Sequence, residues 1–262
     1  MRPILSIATT TVGEAIRRRV LLIILLIGVL FLAVAPGLGV LAARSETTVL
    51  RGMMLGIIQL TSAVIAIVLT VYMIPNEIER RTIYTILSKP VQRYQFLLGK
   101  YLGSVFALGI MMLLMTTVLL TMFAIQQSSN IGVLSELVKA PMMYFVQMCL
   151  LSAVAIFFST FVTPLVNFFL TGGLYLLGSL FNPFFQTLSE NNNTPMVAKI
   201  FAKIINTILP NFANYNVQNP IINPTQQIGN ETQYYINVTI YGLFYIGILL
   251  VGGILIFDRR EV

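Results

Sequence analysis

Few residues in this chain are equipped for chemistry, and most of those that are crowd into one stretch. Between Asn76 and Lys100 the sequence sets Glu77, Glu79, Arg80, Arg81, Lys89, Arg93 and Lys100 around short apolar steps. Ile83, Ile86 and Leu87 stand at i, i+3 and i+4, the spacing of one stripe on a short helix. Pro90 disfavours helix at Lys89 and stops it. The pattern predicts a short helix with one apolar stripe among mixed charges. Glu77 and Arg81 have the i,i+4 spacing of a local pair, worth roughly a few tenths of a kcal/mol. Arg93 and Lys100 flank the apolar run that follows, where cationic stems can reach lipid headgroups.

Other chemistry is scarce. The chain has no histidine, so imidazole ligation of haem or zinc and Ser-His or Cys-His catalysis are excluded. Its single cysteine, Cys149, lies in an apolar stretch and reads as a small buried hydrophobe. No phosphate-binding G-x-x-x-x-G-K-[ST] occurs; Gly99-Lys100 is followed by Tyr101 and lacks the upstream glycine. Within the apolar runs the polar residues are few: Gln59, Thr61, Ser62, Thr70, Gln147, Ser152 and Asn167. Gln59 and Ser62 share a helical face. With Gln147 and Asn167 they either line a transport path or form hydrogen bonds between helices.

The elements that position these residues follow from composition. Of 262 residues, 57% are hydrophobic and 10% charged, against about 45–50% and about 25% in soluble domains. Mean hydropathy is +0.87, which excludes both an ordinary soluble globule and a disordered chain. Six uncharged apolar runs, near 20–43, 52–74, 101–125, 140–162, 165–181 and 236–257, predict six membrane spans. Thr163 and Pro164 separate the fourth and fifth and predict a tight helical hairpin. Ile4, Ala8, Val12 and Ile16 recur every four residues, which predicts an amphipathic interfacial helix over 1–19. With the N-terminus inside, eleven Lys and Arg fall on inner segments and five on outer ones. The positive-inside rule then puts both termini in the cytoplasm. The net charge of +7 reports this orientation and anionic lipid, with no nucleic-acid partner. Residues 182–235 are rich in Asn, Gln, Pro and Thr and form the long outer loop, with an amphipathic helix at 196–205 too short to span.

The run Glu79-x-x-Thr82-x-x-x-x-Leu87-Ser88-x-Pro90-Val91-x-Arg93, then Leu98-Gly99-Lys100, resembles the signature of ABC-2 type transporter permeases, membrane subunits of ATP-binding cassette exporters. Leu209-Pro210-Asn211-Phe212 is similar to a motif of one branch of that family, and Arg81 stands where many relatives carry glycine. The resemblance covers nearly the whole chain. It implies a single all-α integral membrane domain over 1–262. Its parts are six transmembrane helices, an N-terminal interfacial helix, a cytoplasmic coupling helix in loop 76–100, and short outer re-entrant helices before the last span. It further implies that Glu79, Arg81, Thr82, Ile83, Ile86, Leu87, Ser88 and Pro90 dock on an ABC ATPase subunit. A second permease protomer, identical or not, is implied as well. This chain would bind no cofactor; ATP and Mg would reside in the partner ATPase.

These readings converge on the permease subunit of an exporter in the plasma (inner) membrane, which is not itself an enzyme. Two rivals remain: a non-transporting scaffold or immunity-type subunit that anchors an ATPase, and an ion-coupled secondary transporter. The second needs ionisable groups at membrane depth, and no Asp, Glu, Lys or Arg lies well inside any apolar run.

Overall fold

The computed structural model describes residues 2–39, 46–79, 92–126, 131–181, 184, 187–188, 195–216 and 230–259. All regular structure among them is helical. Helix α1 (Arg2–Arg17) is separated by Arg18 from α2 (Arg19–Gly39). There follow α3 (Glu46–Val71), α4 (Met73–Glu79), α5 (Arg93–Gln126), α6 (Ile131–Ser159) and α7 (Pro164–Leu176), which runs on as a π turn, Leu177–Phe181. Helix α8 (Met196–Ile208), a 3₁₀ turn (Ala213–Tyr215) and α9 (Glu231–Arg259) complete the order.

Five helices are long and apolar enough to cross a membrane: α2, α3 with the start of α4, α5, α6 and α9. The fifth of the six expected runs, 165–181, is helical over Pro164–Leu180 but shorter than those five, and its last turn loosens to π geometry. Thr163 and Pro164 do make the turn of the hairpin: Thr163 is the N-cap and Pro164 the first helical residue, where its missing N–H costs nothing. A proline also explains the break at Tyr72 between α3 and α4. Pro75 has no N–H to give the carbonyl of Val71, so the ladder lapses there and α4 begins anew at Met73.

Helices α3 and α6 form the centre. Leu55, Ile58 and Ala66 from one and Tyr144, Met148 and Leu151 from the other are fully buried. Around them α2 and α9 leave long apolar faces bare, Ile23, Leu26 and Leu30 on the first and Ile240, Phe244 and Val251 on the second. Faces of this extent match hydrocarbon, where backbone polar groups must be satisfied inside the helix. Close approach uses small residues. A Cβ on Gly28 of α2 would lie 2.5 Å from Thr61 Cγ2 of α3. On α5, Gly99 and Gly103 admit α1: a Cβ would meet Ile7 Cβ at 2.8 Å at the first and Thr11 Cβ at 2.5 Å at the second. Dispersion at such small-residue crossings is a main source of helix association in lipid.

Candidate functional site

The segment singled out by its charges and stripe is bounded by two described helix ends. Glu79 is the last residue of α4, and Arg93 the first of α5. Arg81, Thr82, Ile83, Ile86, Leu87, Ser88 and Pro90 lie outside the described residues. What the structure defines is the frame that holds both ends.

Lys100, one turn below the Gly103 seat of α1, is the centre of that frame. It is 3% exposed, and its Nζ donates to Glu77 Oε1 of α4 at 2.7 Å. The same ammonium lies 3.6 Å from Glu14 Oε2 of α1 and 5.9 Å from the centre of the Phe96 ring. One cation thus joins α1, the helix leading into the segment and the helix leading out of it. A buried ammonium is tolerated only when paired, so these contacts are a condition of the fold. The expectation that Lys100 reaches toward headgroups is corrected here: its stem turns inward, because Glu77 and Glu14 supply the compensation that headgroups would. Glu77 likewise pairs across helices with Lys100.

Arg93 fastens the second end. Its Nη1 donates to the carbonyls of Phe257 and Asp258 at 3.0 and 3.1 Å. These belong to the last turn of α9, where carbonyls lack helical partners and a cation is favoured. Phe96 stacks on Phe257 beside this contact, ring centres 6.2 Å apart.

A second polar cluster lies at mid-bundle. After α8 the chain leaves helical geometry, and Pro210, Phe212, Tyr215 and Asn216 are all buried. Side chains from two helices, α6 and α9, satisfy its backbone. Gln147 Nε2 of α6 donates to the Phe212 carbonyl at 2.9 Å, and Tyr234 OH of α9 to the Asn214 carbonyl at 3.0 Å. The Asn211 N–H donates to Tyr241 OH at 3.2 Å. Amides complete the chain. Tyr144 OH donates to Asn216 Oδ1 (2.8 Å), Asn216 Nδ2 to Gln59 Oε1 (3.2 Å), and Gln59 Nε2 to Gln147 Oε1 (3.1 Å). Buried irregular backbone needs partners from the protein, and this socket supplies them. Gly178 and Gly242 make the room: a Cβ on the first would lie 2.6 Å from Phe212 Cδ2, and one on the second would collide with Tyr215 OH.

Of the four polar residues marked from the sequence, Gln59 and Gln147 therefore meet. Ser62 bonds within its own helix, to the Gln59 carbonyl at 3.0 Å. Asn167 stands apart, tying α7 to α6 through the Ala155 carbonyl at 2.9 Å. Sequence reasoning missed Glu14, Tyr144 and Asn216. Their partners lie far along the chain, and an Asn in a polar loop reads as solvated. Among the described residues no three acidic or cysteine side chains gather as a metal site.

Both clusters join helices that are distant along the chain. No curated protein matches the chain. A family model for ABC-2 family transporter proteins matches residues 5–262. Members of this family are membrane transport components that lack an ATPase site of their own and work with an ABC ATPase. The chain belongs to the ABC-2 transporter family, as a multi-pass membrane component of an ABC transporter.

Proposed function

We propose that this chain is the permease subunit of an exporter and that residues 79–90 receive the motion of a separate ATPase. Six membrane crossings, with α7 and its π turn as the short fifth, put both termini and the docking segment in the cytoplasm of a plasma-membrane protein. The observation that carries this reading is the Lys100-centred frame. A displacement applied between α4 and α5 passes at once to α1 through Glu14 and to α9 through Arg93. ATP and Mg act in the partner, and a second permease protomer completes a two-sided path. Helix α8 with the buried stretch to Asn216 serves as the outer re-entrant element. Gln59, Ser62, Gln147 and Asn167 face the path when that stretch moves out.

The test replaces Leu87 with Asp, which puts a charge on the apolar stripe of the docking segment. The variant should insert normally, lose co-purification with the ATPase and lose transport. Wild-type ATPase association at equal expression would overturn docking through this stripe. A purified chain that moved solute on an ion gradient without ATP would replace the reading with a secondary transporter. An introduced cysteine at Ser88, on a Cys149→Ala background, should resist an impermeant reagent added outside intact cells.

A further inference from the structure

We propose that the elbow between α1 and α2 is a binding surface for anionic lipid headgroups, and that the bound headgroup keeps α1 seated on α5. The inference requires only that the chain sits in a bilayer. It stands or falls separately from transport.

Three consecutive arginines, Arg17, Arg18 and Arg19, occupy the elbow. Its backbone is satisfied without them: Arg18 N–H donates to the Ala15 carbonyl at 3.2 Å, and the Arg18 carbonyl accepts from Leu21 and Leu22 at 3.1 and 3.2 Å. No side chain of the three forms an ion pair or hydrogen bond with any described residue. Glu14, the nearest carboxylate in sequence, is already engaged with Lys100. Among the described residues, then, no side chain supplies the three guanidinium groups with a counter-charge.

Their setting selects the counter-ion. Arg17 and Arg19 are exposed and Arg18 is half-buried. Beside them Ile16, Val20 and Ile23 are bare, at 42%, 59% and 56% exposure. Cationic groups adjoining apolar side chains in this way lie at the boundary of hydrocarbon and headgroups. Guanidinium forks bind phosphate oxygens in pairs and are weakly hydrated, so the phosphodiester of an acidic lipid suits them better than a soluble anion does. Clusters of basic residues next to a span are drawn to anionic leaflets in the same manner.

The consequence for α1 follows from how it is held. Its seat on α5 buries Ala8, Thr11 and Ala15, yet Leu5 and Ile16 remain exposed and the Glu14–Lys100 pair is long at 3.6 Å. Uncompensated, three like charges at the hinge of α1 repel one another and favour an opened elbow. A headgroup phosphate between them lowers that repulsion and keeps α1 on Gly99 and Gly103.

The experiment uses the full chain in nanodiscs, which expose both faces and so make orientation irrelevant. Thr11→Cys on a Cys149→Ala background reports lifting of α1, because Thr11 is buried in the seat. Labelling should be several-fold slower in discs containing phosphatidylglycerol than in phosphatidylcholine alone. Replacing all three arginines with Gln should abolish the difference, and replacing them with Lys, which keeps the charge but loses the fork, should retain only part of it. In the unsubstituted elbow, high salt should also erase it, as expected for charges at a surface. Equal labelling in both lipids, or protection that survives the Gln replacement or high salt, would overturn the proposal. If inorganic phosphate in phosphatidylcholine discs gave the same protection, the surface would be a soluble-anion site and the lipid assignment would fail.

Discussion

The frame around Lys100 and the socket around Gln147 solve the same problem, joining distant helices through polar groups, with opposite materials. The frame uses formal charge: an ammonium between two carboxylates, and a guanidinium on helix-end carbonyls. The socket uses only amides, phenols and backbone. The difference follows from depth. Gln59 and Gln147 stand near the middle of their helices, where a formal charge costs about 2.5–3.5 kcal/mol on insertion scales. Lys100 stands two turns from the start of α5, within reach of compensation. Charge therefore makes a stiff joint at the end of the bundle, and neutral groups make an exchangeable one inside it.

The largest expected effect comes from removing the central cation. Lys100→Met leaves Glu77 facing an apolar stem, and breaking a buried pair costs about 3–5 kcal/mol. Its unfolding midpoint in detergent should fall well below that of the unaltered chain, and a second change, Glu77→Gln, should restore at least half the loss. A fall no larger than that of a socket variant would erase the contrast between stiff and exchangeable joints.

Next is the seat of α1. Gly103→Val places a side chain where a Cβ already lies 2.8 Å from the Ala8 carbonyl, a backbone atom that cannot swing aside. Overpacking of this kind costs about 1–3 kcal/mol. The measured result should be faster labelling of Thr11→Cys, with the rest of the bundle intact.

The socket should respond within a similar range but locally. Gln147→Leu strips the Phe212 carbonyl of this donor and the Gln59 amide of its acceptor, a cost of about 1–3 kcal/mol if nothing replaces them. Hydrogen–deuterium exchange across 209–216 should rise more than exchange elsewhere. Smallest is Tyr144→Phe, which removes one neutral hydrogen bond at the end of the amide chain. The loss should be about 0.6 kcal/mol, the average for such bonds in membranes. A Tyr144 effect equal to that of Lys100 would mean that depth does not govern the choice of material.

The two regions were unequally legible in the sequence. Uncharged runs of span length announce themselves by composition, and so do the Thr163-Pro164 turn and the four-residue repeat of α1. Gln59 and Gln147 stood out because polar residues are rare in such runs. Their partners did not. Asn216 sits in a stretch whose composition suggests water, and its burial depends on Gly178 and Gly242 leaving space on two other helices. Lys100 carried the opposite signal: beside a span it suggested headgroups, and only the approach of α1 and α4 gives it Glu14 and Glu77. The π turn that ends α7 was hidden for another reason. Its apolar run continues through the π turn, so hydropathy alone does not mark where helical geometry loosens.

The socket also has a fixed polarity. A backbone carbonyl can accept but never donate, so Phe212 obliges Gln147 to present its Nε2. That leaves Gln147 only an oxygen for Gln59, which in turn must offer an oxygen to Asn216, which must offer an oxygen to Tyr144. Four side chains from three parts of the chain are thereby oriented by one peptide unit, and reversing any single amide sets oxygen against oxygen. No link in the series is a carboxylate, an ammonium or an imidazole, so its orientation is indifferent to proton concentration throughout the physiological range. The series has one sense while Phe212 is present, and none imposed on it once that peptide withdraws.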